Sequence, residues 1–174
     1  SLNHANELLT YLKSSEPDLT EAEGDYPFVE TAIFADSIKS KGGYWQSGWH
    51  FVDIPYLNEG GSTDDFPEFQ FEPVNITTVT PDILDWMTEA EGYEQTFTDK
   101  TVNENVEGVE NAHSFALRLL IHYLGDIHQP LHSTSMVDAK YPKGDRGGNS
   151  IYLKSKDGAH NLHSVWDSVV YAFP

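Results

Sequence analysis

Between Phe115 and Ile127 the chain places apolar residues on nearly every side of a helix and breaks the pattern along one line. Phe115, Leu117, Leu119, Leu120, Ile121, Tyr123, Leu124 and Ile127 leave no polar face of the usual width, so the segment is expected to be buried. The exceptions are Ser114, Arg118, His122 and Asp126, four residues apart and therefore aligned along the helix. Such a line either faces water or points inward. An inward imidazole and carboxylate are costly unless paired or metal-bound, and a divalent cation satisfies both. Pro130 has no amide hydrogen and ends the helix within a few residues, freeing His132 to approach from another direction.

Composition narrows the chemistry of such a site. The 174 residues contain no cysteine, so disulfides and thiolate metal sites are excluded and His, Asp and Glu remain as ligands. Length and a 39% hydrophobic content indicate one globular domain with a real core. No apolar run is long enough to span a membrane. The net charge is −18, from 28 acidic and 10 basic residues. Long-range steering would repel a polyanion, unless bound cations reverse the sign locally. An acidic, soluble surface accounts for most of that charge.

Residues 2–13 read as a helix. A second helix is expected from Pro27, a favoured first-turn residue, to about Lys41, with Asp36 and Lys39 one turn apart on it. Gly48 to Pro55 reads as an extended, aromatic-rich segment containing His50, Phe51 and Asp53. Residues 56–79 read as an acidic loop, of a length that is usually functional or mobile. It contains the glycosylation sequon Asn75-Ile76-Thr77. Thr80-Pro81 is expected to start another helix. Residues 91–110 are polar and lead into the central helix. After His132 the chain is irregular, with Gly147-Gly148-Asn149 permitting close backbone approach, a short strand from Ser150, and a last helix from Asn161.

Two His-x-x-x-Asp pairs occur, His122/Asp126 and His163/Asp167, where chance would supply about one. Both fall on expected helices, so each His and Asp share a face. His132, His50 and Asp36 could complete two nitrogen–oxygen coordination spheres suited to zinc. A di-iron bundle would want two Glu-x-x-His pairs on facing helices, and a single one, Glu110/His113, occurs. No Gly-x-Ser-x-Gly elbow marks a serine hydrolase.

Five segments occurring in order carry a resemblance. They are Ala35-Asp36-x-x-Lys39, Trp49-His50-Phe51-Val52-Asp53, His122-x-x-Gly125-Asp126-x-His128-Gln129-Pro130-Leu131-His132, Gly147-Gly148-Asn149 and Asn161-Leu162-His163-x-x-Trp166-Asp167. Together they resemble the zinc-dependent single-strand-specific nucleases of fungi, plants and protists, whose fold is shared with bacterial zinc phospholipase C. The resemblance implies a mainly α fold with long loops and at most a short β-hairpin, built around three zinc ions. It implies that Asp36, His50, His122 and Asp126 hold one zinc, with Asp126 bridging to a second. His132, His163 and Asp167 would hold a third. Asp36, Lys39 and Asp126 would act in catalysis, Lys39 by stabilising charge on the reacting phosphate. Phe51 would stack on a base whose edge bonds Asp53 and Asn149. His4, His113, His128 and His160 match no ligand position.

The implied function is an endonuclease cutting single-stranded DNA and RNA to 5′-nucleotides, with 3′-nucleotidase activity as an extension. Zinc phospholipase C and an inactive zinc-binding module are the alternatives. The implied protein is a secreted or lysosomal monomer and a glycoprotein. The family completes its second zinc with an N-terminal tryptophan and a nearby histidine, which would precede Ser1, and closes its fold with helices that would follow Pro174. Residues 1–174 are therefore expected to be one domain that is a fragment of a larger nuclease domain, with two well-formed zinc sites.

Overall fold

In the computed structural model, which describes residues 2–156 and 158–168, the chain forms two units. The first comprises residues 1–50 and 74–125, the second residues 51–73 and 126–174.

The first unit opens with α1 (Leu2–Ser15), which buries Leu9 and Leu12. The segment read as one helix from Pro27 is helical throughout but alternates in pitch. It runs as α2 (Pro27–Glu30), a 3-10 turn (Thr31–Ile33), α3 (Phe34–Ser37) and a second 3-10 turn (Ile38–Lys41). Tighter turns eclipse residues three apart, which puts Asp36 and Lys39 side by side. The stretch before His50 is a 3-10 helix (Gly43–His50), and extended backbone begins only after it.

The helix expected at Thr80 starts earlier. Asn75 caps α4 (Ile76–Thr88): its Oδ1 accepts from Thr77 N at 3.0 Å, and Thr78 Oγ1 accepts from Asn75 N. The sequon thus doubles as a reciprocal cap, and Pro81 sits inside the helix at the cost of one backbone bond. The polar stretch 91–110 contains α5 (Phe97–Asn105), capped by Thr96. The central segment is α6 (Val109–Asp126), whose last residue falls in the second unit.

Phe115 of α6 meets Phe34 edge-on at 5.1 Å and stacks on Trp45 at 5.7 Å. Leu119 and Tyr123 are fully buried with Val79, Ile83 and Val102. Burying one such side chain is worth about 1.5–3 kcal/mol. The polar line of α6 points inward here. Arg118 is fully buried, its guanidinium paired with both carboxylate oxygens of Glu23 at 2.7 Å. Its remaining donors go to Ser114 Oγ, Ser114 O and Leu9 O.

The second unit contains β1 (Ile54–Leu57), a 3-10 turn (Pro130–His132), β2 (Thr134–Val137), β3 (Tyr152–Lys156), β4 (Ala159–Asn161) and α7 (Leu162–Asp167). β3 and β4 make the short antiparallel hairpin that a mainly helical fold of this kind admits. β1 and β2 pair in parallel, with Ile54 opposite Thr134 and Leu57 opposite Val137. Parallel strands need a long connection, so local patterning does not announce this pair. Among the described residues no helix is long and apolar enough to cross a membrane.

Candidate metal centres

Three side chains of the first unit converge. Asp36 comes from α3, His50 from the end of the 3-10 helix and His122 from α6, with one donor atom of each within 4.8 Å of the others. His50 Nδ1 lies 3.9 Å and His122 Nε2 3.7 Å from the Asp36 carboxylate, and the two nitrogens are 3.1 Å apart. Three ligands each about 2.1 Å from one tetrahedral zinc would be about 3.4 Å apart, so the donor set fits that ion.

The outer nitrogens decide what the inner ones can be. His122 Nδ1 lies 2.5 Å from the carbonyl oxygen of Ala32, which can only accept, so Nδ1 carries the hydrogen. His50 Nε2 lies 2.9 Å from Gln46 Oε1 and is likewise the donor. In neutral imidazoles that places lone pairs on His50 Nδ1 and His122 Nε2, facing each other beside a carboxylate. A cation is what such an arrangement fits.

Lys39 Nζ donates to Asp36 Oδ1 at 2.7 Å. Desolvation pushes the Asp36 carboxyl up, but the Lys39 hydrogen bond, the Lys39 charge and the positive charge that His122 and His50 carry when protonated outweigh it. The group is held below its ordinary value.

The second unit brings together His132, His163 and Asp167. His163 Nε2 is 3.6 Å from Asp167 Oδ2, and His132 Nε2 is 4.0 Å from Asp167 Oδ1. The two rings stack at 4.9 Å. His163 Nδ1 donates to Gly147 O at 2.8 Å, which again leaves Nε2 for a cation. Gln129 Nε2 holds Asp167 Oδ1 at 2.9 Å. Asp126 lies in this unit, 3.7 Å from His132 Nδ1.

The Gly-Gly-Asn motif has a packing reason. Gly147 has φ +58°, and a Cβ there would lie 2.2 Å from Leu131 O. Only a residue without a side chain lets this loop pass Leu131 closely enough for its carbonyl to reach His163.

Phe51, Asp53, Arg146 and Asn149 line a cavity of about 150 Å³ in the same unit. Phe51 packs against His132, with ring centroids 4.5 Å apart. Asn149 Nδ2 donates to Arg146 O at 3.0 Å, which holds the amide at the cavity wall. Burial pushes the Asp53 carboxyl up, and the Asp145 charge adds to it. An acid whose folded value is raised loses stability as pH climbs from its unfolded value, here 3.8, through the folded one. Asp53→Asn is therefore expected to raise the melting temperature at pH 7, with the gain vanishing below that unfolded value in a pH series of thermal melts.

All the residues singled out by sequence are thus placed: Asp36, Lys39, His50 and His122 in one unit, and Phe51, Asp53, Asp126, His132, Asn149, His163 and Asp167 in the other. His4 and His160 are exposed, and His113 packs against Trp86 at 4.7 Å. Sequence reasoning passes over Gln46, Gln129 and Arg146. Gln129 lies inside the central motif and Arg146 directly precedes Gly147-Gly148-Asn149, which was the available signal; Gln46 had none.

The family described as S1/P1 Nuclease matches residues 4–173 of the chain. The chain is 42% identical over 149 residues to Nuclease P1 of Penicillium citrinum, an alignment covering 79% of this chain and 42% of that protein. It is 33% identical over 127 residues to Endonuclease 5 of Arabidopsis thaliana, covering 72% and 37%. With Nuclease S1 of Aspergillus oryzae it shares 38% identity over 53 residues, covering 30% and 16%. The chain spans less than half the length of these relatives.

Proposed function

Because the chain belongs to the S1/P1 nuclease family, we propose that it is the metal-binding part of a zinc-dependent endonuclease that cuts single-stranded DNA and RNA to 5′-nucleotides. Removal of 3′-phosphates from nucleotides is the same hydrolysis at a chain end. The observation that carries this reading is the pair of imidazole nitrogens, His50 Nδ1 and His122 Nε2, set 3.1 Å apart beside Asp36 with both outer nitrogens committed as donors.

Asp36, His50 and His122 would hold one zinc, and His132, His163 and Asp167 another. Asp126 would be a further zinc ligand, and the whole protein would hold three ions. Bound zinc supplies Lewis acidity toward a phosphate and an attacking water, and local positive charge in an acidic protein. The chain's own residues do the rest. Lys39 places an ammonium beside Asp36, where it stabilises negative charge on a reacting phosphate without transferring a proton. Phe51 offers an aromatic face in a cavity the size of one base, which suits unpaired strands better than a duplex. Asp53 would accept from the edge of that base, and Asn149 would hydrogen-bond the same edge. The whole protein acts as a secreted monomer.

Zinc titration with elemental analysis tests the metal reading. Two zinc ions per chain are expected, one of them lost in Asp36→Asn and in His50→Ala; fewer than about one per chain in the wild type overturns it. The substrate reading is tested by assaying the whole protein on single-stranded DNA and on phosphatidylcholine. Loss of DNA cleavage on chelation is expected, whereas lipid cleavage without DNA cleavage moves the activity to phospholipase C.

A further inference from the structure

Gln46 is a neutral amide with no exposure to solvent, four residues before His50, and it does not belong to any of the chain's quoted motifs. Its hydrogen bonds reach all three segments that carry the first metal group. Nε2 donates to Ala35 O at 2.7 Å, the carbonyl immediately before Asp36. Oε1 accepts from Tyr123 Oη at 2.6 Å, the residue immediately after His122. The same Oε1 lies 2.9 Å from His50 Nε2.

The orientation of that amide is not free. Turning it over would set Oε1 against the Ala35 carbonyl oxygen at hydrogen-bond distance, two acceptors with no hydrogen between them. Ala35 O therefore holds Oε1 toward His50, and Tyr123 occupies the second lone pair of that oxygen. Facing an acceptor that cannot rotate away, His50 carries its hydrogen on Nε2 and presents Nδ1 to Asp36 and His122. Removing the acceptor would free the ring to place its hydrogen on Nδ1, on the side where a cation must bind.

We propose that Gln46, held by Ala35 and Tyr123, is a positioning residue that fixes the tautomer of His50 and so prepares the Asp36–His50–His122 group for its metal ion. The proposal rests on the metal reading of that group. The His132–His163–Asp167 group, whose imidazole is oriented by Gly147 instead, provides an internal control.

Two measurements on the full chain test it. The first is the His50 tautomer, read by nitrogen NMR in metal-free protein at about pH 8.5, well above the ordinary imidazole value. The Nε2–H form is expected in the wild type, and finding the Nδ1–H form there overturns the proposal whatever the variants do. The second is zinc affinity by chelator competition. Gln46→Met keeps the volume but leaves only a thioether sulfur, a weak acceptor, so it is expected to populate Nδ1–H and bind zinc about 10–100-fold more weakly at the first site, with the second unchanged. Gln46→Glu keeps one acceptor on the His50 side and, with its second carboxyl oxygen protonated so that it donates to the Ala35 carbonyl, is expected to retain the Nε2–H form, with affinity within about threefold of wild type. Wild-type affinity in Gln46→Met, or an equal loss in Gln46→Glu, overturns the proposal. Should Gln46→Met fail to fold, the wild-type tautomer and Gln46→Glu still decide. Absence of zinc binding in the wild type would instead overturn the metal reading itself, while the NMR result stands apart from it.

Discussion

Replacing Glu23 with alanine should cost about 3–5 kcal/mol of stability, a fall in melting temperature of about 10 °C for a chain of this size. The guanidinium of Arg118 has no exposure to water, and its Nε and Nη2 are each 2.7 Å from a Glu23 carboxylate oxygen. The alanine would leave a buried positive charge with only neutral acceptors, Ser114 and Leu9 O, around it. The loss comes from stranding the charge rather than from the net worth of the pair. Glu23→Leu combined with Arg118→Leu should therefore be less damaging than Glu23→Ala alone. Thermal melts of the single and double variants check this. A single variant within 1 kcal/mol of wild type, an order-of-magnitude threshold for an ordinary surface substitution, would mean that the pair is not closed in solution.

Gly147→Ala should damage both stability and metal binding. The added Cβ would sit 2.2 Å from Leu131 O and 3.5 Å from His163 Nδ1. A backbone oxygen cannot rotate aside as a side-chain tip can, so the loop itself must move, at about 3 kcal/mol. Movement withdraws the Gly147 carbonyl from His163 Nδ1. Loss of the partner that orients a ligating imidazole typically weakens metal affinity about 10–100-fold. Zinc titration should show the His132–His163–Asp167 site weakened and the Asp36–His50–His122 site unaltered. Full loading of both sites at wild-type affinity would show that the carbonyl is not what orients His163.

Part of the candidate site's clustering can be read from spacing, while most of its residues rest on the family resemblance. Ser114, Arg118 and His122 recur every four residues in an otherwise apolar helix, and the structure buries all three. His163 and Asp167 share a helical face for the same reason and lie 3.6 Å apart. What spacing does not carry is the partner across the fold. Nothing near Arg118 names Glu23, 95 residues away, and nothing near His50 marks Gln46 as more than a polar residue between aromatics. The parallel pairing of β1 with β2 is invisible for the same reason, since each strand has only four residues and no turn joins them. The start of α4 was legible in principle. Asn75 and Thr78 form a cap, but Pro81 is the stronger local signal and points to the wrong boundary. The alternation of pitch through residues 27–41 has no signature in the composition of that stretch.

The interleaving of the two units sets an order for synthesis. The first unit can close once Gly125 has left the ribosome, because both of its stretches then exist. Residues 51–73 cannot, since the strand they supply pairs with Thr134–Val137, 80 positions later. At ordinary elongation rates that is a wait on the order of ten seconds. Throughout it the segment carrying Phe66, Phe69 and Phe71 stays a loop between residues 50 and 74. The acidic residues among those aromatics, Asp64, Asp65, Glu68 and Glu72, are well placed to keep the nascent loop from adhering to its neighbours on a polysome.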